Sequence, residues 1–185
     1  KGLEYVYSLR NTYNIAAANM SLGGDRYYTY CDDDMRAAAI ANLKTAGIAT
    51  AVASGNEAYC DSVGTPACIS YAVTVTGSTK QDREYAFGNW QNDMVDLMAP
   101  GEAIFSADST GNVDYSARSG TSMAAPHVAG AWAIMRQFDP TMSVDDILHL
   151  LKNTGVMISS TRCQLQPEPR INVGNAIMTL LTLAP

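Results

Sequence analysis

Apolar positions along this chain alternate between two periods. Leu3, Val6, Tyr7 and Leu9 recur at helical spacing and predict an amphipathic helix over about 1–12. The apolar run Ile15-Ala16-Ala17-Ala18 then predicts a buried strand over 15–20. Residues 35–46 form a second helical stretch with Gly47 at its end. Asp32, Asp33 and Asp34 precede it, and carboxylates suit the positive end of a helix dipole better than a metal site here. Residues 48–53 and 71–76 read as strands, and 94–98 and 103–106 as short extended segments around Ala99-Pro100-Gly101. Helices follow over about 121–137, 143–153 and 174–183, the last opened by Asn172. Such alternation predicts an α/β fold with a largely parallel sheet.

The chain has 185 residues, enough to bury a substantial core, and reads as one domain over 1–185. Its formal charge of −6, without a basic cluster, disfavours nucleic acid or an anionic membrane surface as partner. No apolar run approaches the roughly 20 residues that span a bilayer. No internal repeat or low-complexity segment is evident.

The chemistry concentrates at Ser119-Gly120-Thr121-Ser122-Met123-Ala124-Ala125-Pro126-His127-Val128-Ala129-Gly130. Gly120 permits a tight turn into a helix, and Ser122 falls in its first turn. Free N–H groups and the positive dipole end there favour a developing oxyanion. Pro126 lies within about one turn of the start, where little hydrogen bonding is lost. A serine nucleophile also needs a histidine base and a carboxylate to orient it. The two histidines, His127 and His149, do not stand where such a base is expected. Taken alone, Gly-Thr-Ser before a helix is more often a cap. Likewise Asn19-Met20-Ser21-Leu22-Gly23-Gly24 alone reads as a strand and a turn. Asn56, after the apolar strand and Ser54-Gly55, alone reads as a turn residue.

Together, in this order, the three segments resemble the subtilisin-like serine proteases (subtilases). The Gly-Thr-Ser-Met-Ala-x-Pro-His-Val-Ala-Gly pattern is filled at every fixed position. The resemblance implies a subtilisin-like three-layer α/β fold and a serine endopeptidase. It makes Ser122 the nucleophile and Asn56 the oxyanion donor, with His127 structural. It assigns Ser21, Leu22 and Gly23, with Ala53, Ser54 and Gly55, to holding an extended polypeptide substrate as an added strand. Gly64 would floor a specificity pocket, and Glu57 would stand at its rim or be a solvated loop acid. Arg118 and Ser119 would lie on the leaving-group side.

The family's Asp motif and His-Gly-Thr-His motif lie upstream of its helix before the substrate strand, and neither occurs here. The chain is therefore expected to be the C-terminal portion of a subtilase catalytic domain, inactive alone and with apolar surface facing the missing N-terminal half. A rival reading is a non-catalytic peptide-binding or scaffold module of the same descent, although a scaffold has no need of both Ser122 and Asn56.

Cys31, Cys60, Cys68 and Cys163 lack metal-type spacing, and four cysteines allow three pairings or free thiols. The resemblance favours Cys31–Cys68 with Cys60–Cys163 and an extracellular setting. It requires no cofactor for the chemistry and admits a structural calcium near Asp96 and the carbonyls around Ala67.

Overall fold

The computed structural model describes residues 1–109 and 114–183; residues 110–113 and 184–185 of the expected domain lie outside the described residues. In chain order the elements are α1 (Gly2–Ser8), β1 (Ala17–Met20), β2 (Arg26–Tyr27), α2 (Ala37–Thr45), β3 (Ala49–Ala53), β4 (Val63–Gly64), β5 (Val73–Ser78), β6 (Leu97–Pro100), β7 (Ile104–Ala107), β8 (Tyr115–Arg118), α3 (Thr121–Phe138), α4 (Val144–Thr154), β9 (Val156–Ile158), β10 (Glu168–Arg170) and α5 (Val173–Leu183).

One six-stranded sheet runs β1-β3-β5-β6-β10-β9. Neighbours from β1 to β10 are parallel, and β9 alone runs antiparallel, against β10. Two small antiparallel pairs, β2–β4 and β7–β8, stand beside it. Helix α3 crosses β1, β3, β5 and β6 on one face, and α4 and α5 pack with each other there, α5 also against α3. Helix α2 covers β3 on the other face and carries α1. The result is the α/β arrangement with a largely parallel sheet that the alternation predicts, in the three layers that the resemblance implies.

Strand alternation explains the layers. Ala49, Ala51 and Ala53 join the core formed with Ala124, Val128 and Trp132 of α3, whereas Val52 joins the one containing Ile40 of α2. Alanine at these β3 positions leaves room for α3 to lie close to the sheet. Both disulfides have the pairing implied by the resemblance, Cys31–Cys68 and Cys60–Cys163.

Three local expectations change. The first helix ends at Ser8, and residues 9–13 form turns in which Leu9 N–H donates to Tyr5 and Val6, and Thr12 N–H to Leu9. Asn11, Thr12 and Asn14 hold a helix poorly because their side chains compete for backbone bonds. Helix α2 starts at Ala37 with no acid in its first turn. Asp32 instead accepts from Ser70 N–H at 2.8 Å and its hydroxyl at 2.7 Å. Asp34 accepts from the Arg36 guanidinium and from Thr65, and Arg36 holds its carboxyl well below the usual carboxylate range. A guanidinium is a stronger partner than a helix dipole. Finally β2, β4, β9 and β10 carry too few residues to impose a period, and the four-residue β8 adds to the expected strands.

The outer edge of β1 has no strand partner among the described residues. On α3, Pro126, His127, Gly130, Ala133, Ile134 and Phe138 are exposed along one stripe.

Candidate active site

The sheet and α3 bring residues 56 and 121 together. Strand β3 ends at Ala53, and the next residues turn toward the start of α3. Thr121 N–H, the first of the helix, donates to Asn56 Oδ1 at 2.8 Å. Because a backbone N–H can only donate, the atom facing it must be the amide oxygen. The Asn56 NH2 group therefore points elsewhere, and it has no acceptor among the described residues. The Thr121 hydroxyl completes the link, accepting from Gly55 N–H at 3.2 Å.

Ser122 is half-buried at the second position of α3. Its N–H has no carbonyl four residues earlier within the helix, so it is one of the free donors of the first turn. A partial positive charge accompanies it. Gly120, just before, has φ 153° and ψ 161°, a conformation open to glycine almost alone.

Pro126 has a larger consequence than its position suggested. Lacking N–H, it leaves the Ser122 carbonyl without the usual helical donor. The Ser21 hydroxyl fills that place, donating to Ser122 O at 2.7 Å. The end of β1 is thus tied to the first turn of α3. Ser21, Leu22 and Gly23 continue beyond β1 and are exposed.

Gly64 lies where these segments meet. Its N–H donates to Ser54 O at 2.8 Å, and a Cβ there would stand 3.6 Å from both Ser54 O and Gly24 O. The expectation that Ala53–Gly55 adds a substrate strand needs correction. Ser54 N–H donates to Val75, and Ser54 O already accepts from Gly64 and from Asn89. Gly55 N–H and C=O engage Thr121 and Asn89. These Ser54 and Gly55 groups are taken, so those two residues can wall a pocket but have no free main chain to offer.

A cavity of about 440 Å³ opens beside Ser122, bounded by Phe105 and Ala107 of β7, Arg118, Met123 and His127. Asn56 does not line it; it reaches the helix start from the opposite segment. Arg118 is held by Asp108 at 2.9 Å to both oxygens, and Ser119 Oγ accepts from Ala103 N–H. His127 Nδ1 stands 2.7 Å from Met123 O, one helical turn back. His149 lies exposed on α4.

Glu57 is neither a free rim charge nor idle. Its carboxylate accepts from Asn56 N–H at 3.0 Å and from Asn89 Nδ2 at 2.7 Å. Asn89 and Thr121 were not legible as contributors. A buried asparagine in Gly88-Asn89-Trp90 carries only a turn-like signature in sequence.

The residues considered for calcium engage Thr74 and Lys152. Asp96 accepts from Thr74 N–H and faces Lys152 at 3.5 Å, and Ala67 O takes the Thr74 hydroxyl. Among the described residues no three His, Cys, Asp or Glu side chains converge on a metal-sized point. No helix among the described residues is long and apolar enough to cross a membrane.

Comparison with known proteins fits this geometry. The subtilase family model matches residues 3–172. The chain is 37% identical over 150 residues to an extracellular serine proteinase of Thermus sp. strain Rt41A, covering 81% of this chain and 34% of that protein. It is 37% identical over 158 residues to subtilisin-like protease 3 of Trichophyton equinum, covering 84% and 37%. The structure of a cold adapted subtilisin-like serine proteinase superposes with a TM-score of 0.71 at 31% identity, covering 89% of this chain and 58% of that one. A protease from Pseudoalteromonas arctica PAMC 21717 gives 0.76 at 25%, covering 89% and 51%. The chain spans about a third of the length of the curated relatives it matches. With the serine at a helix start, the asparagine bound beside it and the match over nearly its whole length, this chain belongs to the subtilase family.

Proposed function

We propose that this chain supplies the nucleophile, oxyanion site and substrate cleft of a secreted serine endopeptidase. The observation that carries the reading is the Thr121 N–H on Asn56 Oδ1 at 2.8 Å, which leaves the Asn56 NH2 a free donor at the start of the helix that carries Ser122. Ser122 Oγ attacks the scissile carbonyl carbon. The hydroxyl proton passes to a histidine base, which later protonates the leaving amine. Charge developing on the carbonyl oxygen meets Asn56 Nδ2–H and the Ser122 N–H. The substrate main chain lies along exposed Ser21–Gly23, with a side chain entering between Ala53–Gly55 and Gly64.

The base and its orienting carboxylate come from a segment that this sequence does not contain. Two features suit its docking: the edge of β1, which has no strand partner among the described residues, and the exposed apolar stripe of α3, where Ile134 and Phe138 are 47% and 43% exposed. Alone, the chain is inactive because Ser122 keeps its proton. Two disulfides and the extracellular relative favour secretion.

The test is peptide hydrolysis by this chain joined to the histidine- and aspartate-bearing half of a subtilase domain. Ser122→Ala should abolish turnover, and Asn56→Leu should lower kcat with little change in KM. Binding of extended peptides without any turnover, in a folded, complemented domain, would favour the scaffold reading instead.

A further inference from the structure

The segment that presents Asn56 is held by more than the bonds of Asn56 itself. We propose that Asn89, a fully buried asparagine on the connection between β5 and β6, is a positioning residue that fixes the oxyanion donor; this rests on the reading of Asn56 given above.

Every side-chain hydrogen bond of Asn89 goes to residues 54–59, on both sides of Asn56. Its Oδ1 accepts from Glu57 N–H at 3.0 Å and Tyr59 N–H at 3.1 Å. Its Nδ2 donates to Ser54 O at 3.1 Å and Glu57 Oε2 at 2.7 Å. Two donors below and two acceptors above leave one orientation for the amide. The backbone repeats the pattern: Asn89 N–H donates to Gly55 O at 3.0 Å, and the Ser54 hydroxyl donates to Asn89 O at 2.9 Å. The loop is therefore wrapped around one side chain that is 0% exposed. Glu57 passes the restraint on, since the carboxylate bound to Asn89 also accepts the Asn56 N–H at 3.0 Å.

Gly55 shows how closely the two segments meet. Its φ is 110°, and a Cβ there would fall 2.3 Å from Asn89 Nδ2 and 2.7 Å from Glu57 Oε2. The far end of the loop is fixed as well. Ala58, at φ 58°, donates to Phe87 O at 2.8 Å and accepts from Arg162 at 2.5 Å, and Cys60 is bonded to Cys163. With both ends pinned, Asn89 sets the angle at which Asn56 leaves the loop toward Thr121.

Aspartate fits the space but puts an oxygen against Ser54 O and the Glu57 carboxylate, where two donated hydrogen bonds stood. The loop must shift, and a displacement near 1 Å at a reacting group costs up to about 100-fold. The experiment measures kcat per active site in the complemented domain, with sites counted by fluorophosphonate labelling taken to completion. This separates folded fraction from catalytic power. Asn89→Asp should lower kcat per site by about 10–100-fold while KM stays within about threefold. In an Asn56→Leu background the same change should cost nothing further, because the group it positions is gone. Glu57→Ala removes the acceptor shared by Asn56 N–H and Asn89 Nδ2, gives the same test from the other partner, and decides the matter if Asn89→Asp leaves no countable sites. Unchanged kcat per site in these variants, or a loss that multiplies in the Asn56→Leu background, overturns the role of Asn89. Wild-type kcat in Asn56→Leu itself overturns the oxyanion reading, and this inference with it.

Discussion

Gly120→Ala places one methyl group at the turn between β8 and α3. At φ 153° and ψ 161° the backbone sits in a region that residues with a Cβ avoid, at a cost of about 1–3 kcal/mol. The new Cβ would stand 3.4 Å from Asn56 Oδ1 and 3.6 Å from its Nδ2, an ordinary van der Waals contact, so the cost lies in the backbone. Relief comes by rotating φ, and that rotation carries Thr121 N–H away from Asn56 Oδ1, now at 2.8 Å. The amide then loses the bond that fixes which of its atoms faces the substrate. Two losses should appear together. Stability should fall by about 1–3 kcal/mol, which for a chain of this size lowers Tm by about 2–10 °C. In the complemented domain kcat should fall about 10–100-fold, within the bound of about 10²–10³ known in subtilisin for losing this donor altogether. The assays are thermal unfolding followed by circular dichroism and steady-state hydrolysis of a peptide anilide. A variant with wild-type Tm and wild-type kcat would refute the reasoning, since the strain and the displacement arise from the same rotation.

Two further outcomes follow from the structure. Glu168 is 7% exposed, and burial pushes its carboxyl from an ordinary 4.5 up to about 7. The protonated form is favoured in the fold, so its contribution is full below pH 4.5 and is lost as pH rises through 7. Glu168→Gln keeps an acceptor for Asn92 Nδ2, now at 2.9 Å, and should stabilise the chain above pH 7 by up to about 3 kcal/mol while changing little near pH 4.5. Denaturant titrations from pH 4.5 to 8 check this, and equal curves for variant and wild type would contradict it. Non-reducing peptide mapping should recover Cys31 with Cys68 and Cys60 with Cys163; four alkylatable thiols in protein purified without reductant would exclude both bridges and remove a support for secretion.

Features that depend on long patterns are legible in the sequence, and features that depend on single contacts are not. Strand β3 and helix α3 were legible because apolar runs of that length report burial directly. The pairing of Ser122 with Asn56 rested on a resemblance, since nothing in the spacing of residues 56 and 122 brings them together. Helix α1 was overextended because Leu9 continues the apolar period past the point where Asn11 and Thr12 turn the chain. Asp34 was misplaced because its real partner, Arg36, is a neighbour whose side chain competes with the helix. Asn89 could not be found, because an asparagine after glycine looks like a turn until the segment it holds is seen. The Ser54 carbonyl shows the same limit: a strand followed by Ser-Gly looks available for pairing until its two acceptor positions prove filled by Gly64 and Asn89.

The central claim is that Ser122 is a nucleophile awaiting a base from outside this chain. It is tested most directly by treating the chain, alone and joined to a half supplying histidine and aspartate, with a fluorophosphonate and mapping the label by mass spectrometry. The account predicts rapid labelling at Ser122 in the joined protein, little in the chain alone, and none after Ser122→Ala. Label on another residue of a folded, active joined protein, or equal labelling of Ser122 with and without the added half, would contradict it.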